Sequence, residues 1–324
     1  MSATVGAAGN ALHTPVLLST CLNVLTPALS SPNSVLIDCT LGMGGHSEAF
    51  LANFPNLSVV GIDRDRQAIE LASERLSSFG SRFHAVHATY DKVGSVAEQW
   101  GRDGKVQAIL MDLGVSSLQL DRQERGFSYS KDAPLDMRMD NATGMSASDF
   151  LAKESQEEIA RVLREYGEER YAGRIAQAIV KRRDTAPITR TGELVEIVRQ
   201  SIPAPARRTG GNPAKRTFQA LRIAVNSELE ILTRAIDAAI NSLSRDGRIV
   251  VMSYHSLEDR IVKRAFRNGA QSTTPQGLPV ELAGHEPYLE LLTRGAVKAS
   301  LEEIESNPRS ASVRLRAARR IRGE

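Results

Sequence analysis

Between Asp38 and Ser47 the chain reads Asp-Cys-Thr-Leu-Gly-Met-Gly-Gly-His-Ser, with glycine at 42, 44 and 45. Three glycines in four positions permit a tight turn and let a ligand approach the backbone, and a helix starting just beyond offers free N–H groups. Glycine turns also form without a ligand, so a second feature is needed. Asp63 supplies it: it ends an apolar run about twenty residues after the glycines, where a carboxylate can accept hydrogen bonds from both ribose hydroxyls. Together these residues favour a cofactor containing adenosine. A dinucleotide fingerprint would want a further glycine at 47, where Ser47 stands, and no Gly-Lys-Ser/Thr phosphate loop follows. S-adenosylmethionine suits the pattern better than a nicotinamide cofactor: it has no phosphate to cradle, and the acidic Asp38 before the loop can accommodate its amino-acid part.

Two further clusters carry polar chemistry. Asp112-Leu-Gly-Val-Ser-Ser closes another apolar run, and ligands of open α/β sheets bind outside the carboxyl ends of the strands. Asp112 is thus placed beside reacting groups, or it is a turn or capping residue. Ser253-Tyr254-His255-Ser256, with Glu258 and Asp259 following, resembles the parts of a hydrolytic triad. Without a Gly-x-Ser-x-Gly elbow, covalent hydrolysis is disfavoured. His255 is better read as orienting substrate or capping a helix.

The elements that must hold these residues are legible as patterns. VLIDCT (35–40), VVGIDR (59–64), FHAVHATY (83–90) and VQAILMDLG (106–114) read as strands, mostly continuous apolar runs of the kind buried on both faces of a parallel sheet. Asp65 is positioned to cap a helix bearing Ile69, Ala72 and Leu76. Strands alternating with helices predict a doubly wound α/β sheet. After Leu120 the strand pattern stops. Ser155 and Glu158 form a capping-box pattern ahead of Ile159, Val162 and Leu163, and a second helix is expected over 168–183. Residues 202–216 hold three prolines, two glycines and four basic residues and read as a loop. One helix is expected from Thr217 to Leu243, then a turn at Asp246-Gly247, an apolar strand, and a last strand at 312–321 with one polar face.

Composition narrows the class. At 324 residues the chain suits one large fold with an insertion, or two domains. Its 41% hydrophobic and 24% charged residues, with no long apolar run, predict a soluble protein without a membrane span. The opening residues lack the charged start and apolar centre of a secretion signal, so a cytoplasmic location is expected. Cys21 and Cys39 have no metal-ligand spacing, which argues against structural zinc; both are read as buried thiols. Residues 1–120 carry 7 Lys/Arg against 10 Asp/Glu, whereas residues 121–324 carry 34 against 28. Between Arg161 and Arg222 there are 14 basic and 6 acidic residues. Clustered positive charge gains counterion-release free energy on a phosphate backbone, so a polyanionic partner is expected, though a solvated helical surface gives the same letters.

Beyond these local signals, HTPVLL (13–18), DCTLGMGGHS (38–47), DLGVSSLQLD (112–121), RGFSY (125–129), PLDMRMD (134–140), RTFQALRIAVNSEL (216–229), SYHSLEDRIVK (253–263) and NPRS (307–310) occur in this order. The series closely resembles the ribosomal RNA small subunit methyltransferase H family, from His13 to about Ile321. The resemblance implies a class I S-adenosylmethionine-dependent methyltransferase: a Rossmann-like sheet in two parts, 13–125 and 226–324, with a helical substrate domain inserted at 126–225. It implies methylation of the exocyclic N4 of cytidine 1402 in the 16S rRNA of the small ribosomal subunit. It also carries cofactor contacts onto Gly44, Gly45, His46, Asp63, Tyr90, Asp112 and Gln119. Nothing is transferred onto the variable stretch 271–306.

That chemistry depends on placement. The N4 lone pair of cytosine is delocalised into the ring, so the nitrogen must be held in line with the methyl–sulfur bond. Asp112 is the candidate catalytic acceptor for the amine, although a fixed anion beside a sulfonium stabilises the ground state more than the transition state, so a cofactor contact is its first role. The cytidine must leave its stack, and Phe127, Tyr129 and Tyr254 are candidates to flank it. Arg138, Arg207, Arg208, Lys215, Arg216 and Arg222 are candidates for phosphate contacts, with 212–216 expected to order on RNA. No metal is expected. A monomer and a homodimer both remain open, and the alternative function is a non-catalytic rRNA-binding assembly factor.

Overall fold

The computed structural model describes residues 15–207, 212–275, 280 and 282–322. In chain order the core begins with helix α1 (Leu18–Leu25), strand β1 (Val35–Asp38), α2 (Gly45–Asn53), β2 (Ser58–Asp63), α3 (Arg66–Arg75), β3 (Phe83–His87), α4 (Val93–Trp100) and β4 (Val106–Asp112). Seven helices follow: α5 (Ser117–Asp121), α6 (Ala147–Lys153), α7 (Gln156–Glu165), α8 (Ala172–Arg183), α9 (Thr191–Ser201), α10 (Ala204–Arg207) and α11 (Lys215–Asn226). The chain then returns through α12 (Glu228–Ser242), β5 (Leu243–Ser253), α13 (Ser256–Gly269), β6 (Leu289–Leu291), α14 (Leu301–Ser306) and β7 (Arg314–Arg320).

The seven strands form one sheet in the order β3-β2-β1-β4-β5-β7-β6. The first five run parallel, and β7 lies antiparallel between β5 and β6. This is the expected doubly wound α/β sheet. Its order reverses between β1 and β4, the point at which ligands of such sheets bind.

Alternation along the strands separates two cores. Ile37, Val60, Ile62, Ile109, Met111, Ile249 and Val251 bury one face against Val93 of α4, Leu232 and Ile236 of α12 and Val262 of α13. Leu36, Val59, Ala108, Leu110, Val250 and Met252 bury the other face against Cys21, Leu25, Phe50 and Ala72. Both faces are covered, so the central strands read as continuous apolar runs. A third apolar cluster, from Phe127 to Leu221, belongs to the helices between β4 and α12.

Several sequence expectations are corrected. The helix expected over 217–243 is two helices, because Ser227 adopts a left-handed conformation with φ 50°. Asn226 explains the break: its Nδ2 donates to the carbonyls of Met137 and Arg222, and its Oδ1 accepts from Met139 N. The apolar periodicity continues across the break because α11 buries Phe218 and Leu221 in the helical cluster, whereas α12 buries its stripe on the sheet. The Asp246-Gly247 turn lies inside β5 as a bulge. There pairing with β4 jumps from Val106↔Leu243 to Ala108↔Arg248, and Asp246 has φ 64°. Within 202–216, Ala204–Arg207 is helical and Lys215 already begins α11. The helix expected from 168 starts at Ala172, after Glu168 takes φ 49°.

Candidate active site

The carboxyl ends of β1, β2 and β4 bring three aspartates to the reversal point of the sheet. Backbone bonds from Cys39 N to Leu110 O and from Leu41 N to Ile62 O hold the chain leaving β1 against both neighbouring strands. Gly42 N then donates to Asp63 Oδ2 at 2.8 Å, so the acidic residue at the end of β2 organises the glycine loop. Thr40 Oγ1 accepts from Asp112 N at 2.6 Å and ties the loop to β4.

The loop requires its glycines. Gly44 has φ 77° at the start of α2, and a Cβ there would lie 3.0 Å from Leu76 Cδ1. A Cβ on Gly45 would lie 2.8 Å from Pro15 Cγ. Both positions let the backbone pack closely against neighbouring side chains.

The charges are buried and supported unequally. Asp38 is buried, and burial raises its pKa against the opposing effects of His46 and of hydrogen bonds from Ser47 and Thr40. Ser47 Oγ donates to Asp38 Oδ2 at 2.7 Å. Burial pushes Asp63 up to about 6, opposed by amide donors from Asp65 and Gly42. Asp112 is raised as well, again chiefly by burial, while His46 and the Tyr254 hydroxyl lower it. The Tyr254 hydroxyl donates to Asp112 Oδ1 at 2.7 Å, and His46 Nδ1 lies 3.9 Å from Oδ2. Three carboxylates around a glycine loop form an acceptor-rich wall that suits a ligand with cationic centres and vicinal hydroxyls. A sulfonium nucleoside with an amino-acid chain fits that donor and acceptor demand.

The remaining expected cofactor residues hold places around this wall. Tyr90 packs against the α12 side of the core and its hydroxyl donates to Glu228 O at 3.4 Å. Gln119 is buried. Its Oε1 accepts from Ser116 N in a capping box at the start of α5, and its Nε2 donates to Asp65 Oδ2 at 3.2 Å. Asp65 caps α3 through Gln67 N, as expected, and also pairs with buried Arg125 at 2.9 Å. Sequence reasoning missed this second role, because no local spacing links residues 60 positions apart.

The SYHS segment is held by Glu258 rather than by His255. Glu258 Oε2 accepts from the backbone N–H of Tyr254 at 2.8 Å and of His255 at 3.3 Å. His255 sits at the N-cap position of α13 with Nε2 3.2 Å from Glu258 Oε1. Ligand atoms of Glu228, His255 and Glu258 lie within 4.8 Å of one another. Arg222 engages both oxygens of Glu228, so the cluster is a buried ion network with its own cation.

Among the described residues, those expected at phosphate have different partners. Lys215 and Arg216 are exposed in the first turn of α11, where Arg216 Nη1 donates to Glu168 O at 2.9 Å. Arg138 is held by both oxygens of Asp136, at 2.9 and 2.7 Å. Arg222 is largely buried and gives Nε and Nη2 to the two oxygens of Glu228. Arg208 lies outside the described residues. Of the aromatic candidates, Phe127 is core, Tyr129 meets the Phe218 ring edge-on at 5.8 Å, and Tyr254 reaches Asp112.

No helix among the described residues is long and apolar enough to cross a membrane. A protein of Beutenbergia cavernae named ribosomal RNA small subunit methyltransferase H is 60% identical over 312 residues, covering 96% of this chain and 93% of that one. Proteins of the same name from Mycolicibacterium gilvum and Streptomyces avermitilis are 58% and 55% identical, each covering 96% of this chain, and 84% and 97% of their own lengths. The family model described as the MraW methylase family matches residues 10–321, so the chain belongs to that family.

Proposed function

We propose that this chain methylates the exocyclic N4 of cytidine 1402 in the 16S rRNA of the small ribosomal subunit, in the cytoplasm, with S-adenosylmethionine as donor. Membership of a methylase family and the names of its relatives support methylation of small-subunit rRNA. The observation that carries the cofactor assignment is Asp63, which organises the glycine loop through Gly42 N and still ends β2 at the sheet reversal. When bound, S-adenosylmethionine supplies a methyl group on a cationic sulfur.

The chain's own residues do the rest. Gly44, Gly45 and His46 offer close backbone approach. Asp63 accepts ribose hydroxyls, Tyr90 lies toward the adenine, Gln119 steadies the adjoining wall, and Asp112 faces the reacting groups. The helices over 126–225 form the substrate unit, with Lys215 and Arg216 toward phosphate. Orientation of a weakly nucleophilic amine is the main catalytic contribution.

The test is a tritium-transfer assay with labelled S-adenosylmethionine and small subunits from cells lacking this protein, the label being mapped by nuclease digestion and mass spectrometry. Label on N4 of one decoding-region cytidine is the expected result. Cofactor binding without transfer to any assembly state would instead favour the non-catalytic assembly factor.

A further inference from the structure

Asp112 has a different partner on each carboxylate oxygen. Tyr254, from the turn after β5, donates its hydroxyl to Oδ1 at 2.7 Å. His46, from the first turn of α2, turns Nδ1 toward Oδ2 at 3.9 Å, while its Nε2 lies 3.0 Å from the Val16 carbonyl oxygen. A carbonyl only accepts, so Nε2 carries a hydrogen whether His46 is neutral or charged.

We propose that Oδ2 of Asp112 accepts the proton that the substrate amine loses, with Tyr254 and His46 as the residues that position and tune it. The inference rests on the methyl-transfer reading above. The amine lone pair forms the new N–C bond as the C–S bond breaks with its electrons passing to sulfur. The N–H bond then breaks with its electrons staying on nitrogen, and the proton passes to Oδ2. The positive charge of the sulfonium and the negative charge of Asp112 are both gone at the end.

The other titratable groups around Asp112 are Asp38 on β1, Glu258 on α13 and Cys21 on α1. The two carboxylates favour a protonated Asp112, whereas Tyr254 and His46 favour the carboxylate. Burial sets the balance toward proton uptake. An acceptor poised in this way can release the proton to solvent once product leaves, since the Asp112 side chain is 26% exposed.

The test uses Tyr254→Phe, which keeps the ring and removes the donor, and His46→Gln. In the protein without cofactor, the ¹³C carboxyl titration of Asp112 should move up by about one pH unit in each variant, because a group that favours the anion is lost. In single-turnover methyl transfer by Tyr254→Phe the acid limb should move by the same amount. Titrations that coincide with wild type, a wild-type rate profile with no acid limb, or a loss equal at every pH would overturn the proposal. Absence of methyl transfer by the wild-type protein would defeat the functional reading itself, while the carboxyl titration would still decide whether Tyr254 and His46 tune Asp112.

Discussion

Arg222 and Glu228 form a two-point ion pair across the break between α11 and α12, 2.8 Å from Nε to Oε1 and 2.9 Å from Nη2 to Oε2. The side chains are 13% and 8% exposed. The pair joins α11 to α12 just where the left-handed Ser227 turns the chain.

Breaking a buried pair strands one charge, which costs about 3–5 kcal/mol. Arg222→Ala and Glu228→Ala should each lower the unfolding free energy by about 3 kcal/mol in urea denaturation. The double variant should lose less than the sum, because the second substitution removes the stranded charge. Additive losses would mean that the two side chains act independently. Any RNA-binding defect of Arg222→Ala should scale with the unfolded fraction.

Asp63 ties cofactor affinity to pH. Its carboxyl sits up near about 6, above the ordinary aspartate value near about 4. The folded chain therefore holds a proton that the unfolded chain has released. This group's contribution to stability is present at low pH and is lost as pH rises from about 4 through about 6. Hydroxyl donors favour the carboxylate, so cofactor affinity should instead fall as pH drops through about 6. Asp63→Ala should weaken binding by about 2–3 kcal/mol and abolish that pH dependence in calorimetry. Unchanged affinity would remove Asp63 from the ribose.

The basic start of α11 should act through charge alone. Lys215→Ala combined with Arg216→Ala should leave cofactor affinity intact and reduce the salt slope of rRNA binding by about two. A slope equal to that of wild type would take these residues out of the interface. Because Arg216 also donates to Glu168 O, a modest loss of stability, about 0.5–1 kcal/mol, should accompany the change.

Local signals carried much of this architecture. The Asp65 cap appears as read, since an N-cap needs only its own side chain and an amide two residues on. The last strand has the expected polar face, and Arg316 on it pairs with Asp259 at 2.7 Å. Where neighbours compete with local preference, the reading failed. The apolar stripe from Phe218 to Ile240 passes unbroken through Ser227, because periodicity records that a face is buried and not which core buries it. Arg222 reads in the sequence as a candidate phosphate contact, since its charge is visible there and its partner across the break is not.

The sequence by itself determined the parallel sheet, the glycine loop at the end of its first strand, and the acidic residue at the end of its second. Each depends on residue type and spacing over a short run, where backbone sterics and side-chain periodicity decide. Only the tertiary structure decided that Tyr254 meets Asp112 across 142 positions, that Gln119 reaches Asp65 across 54, and that Arg222 is taken up by Glu228. Those outcomes depend on which charges and donors folding brings within hydrogen-bond distance in a buried place. There an unpaired group costs free energy.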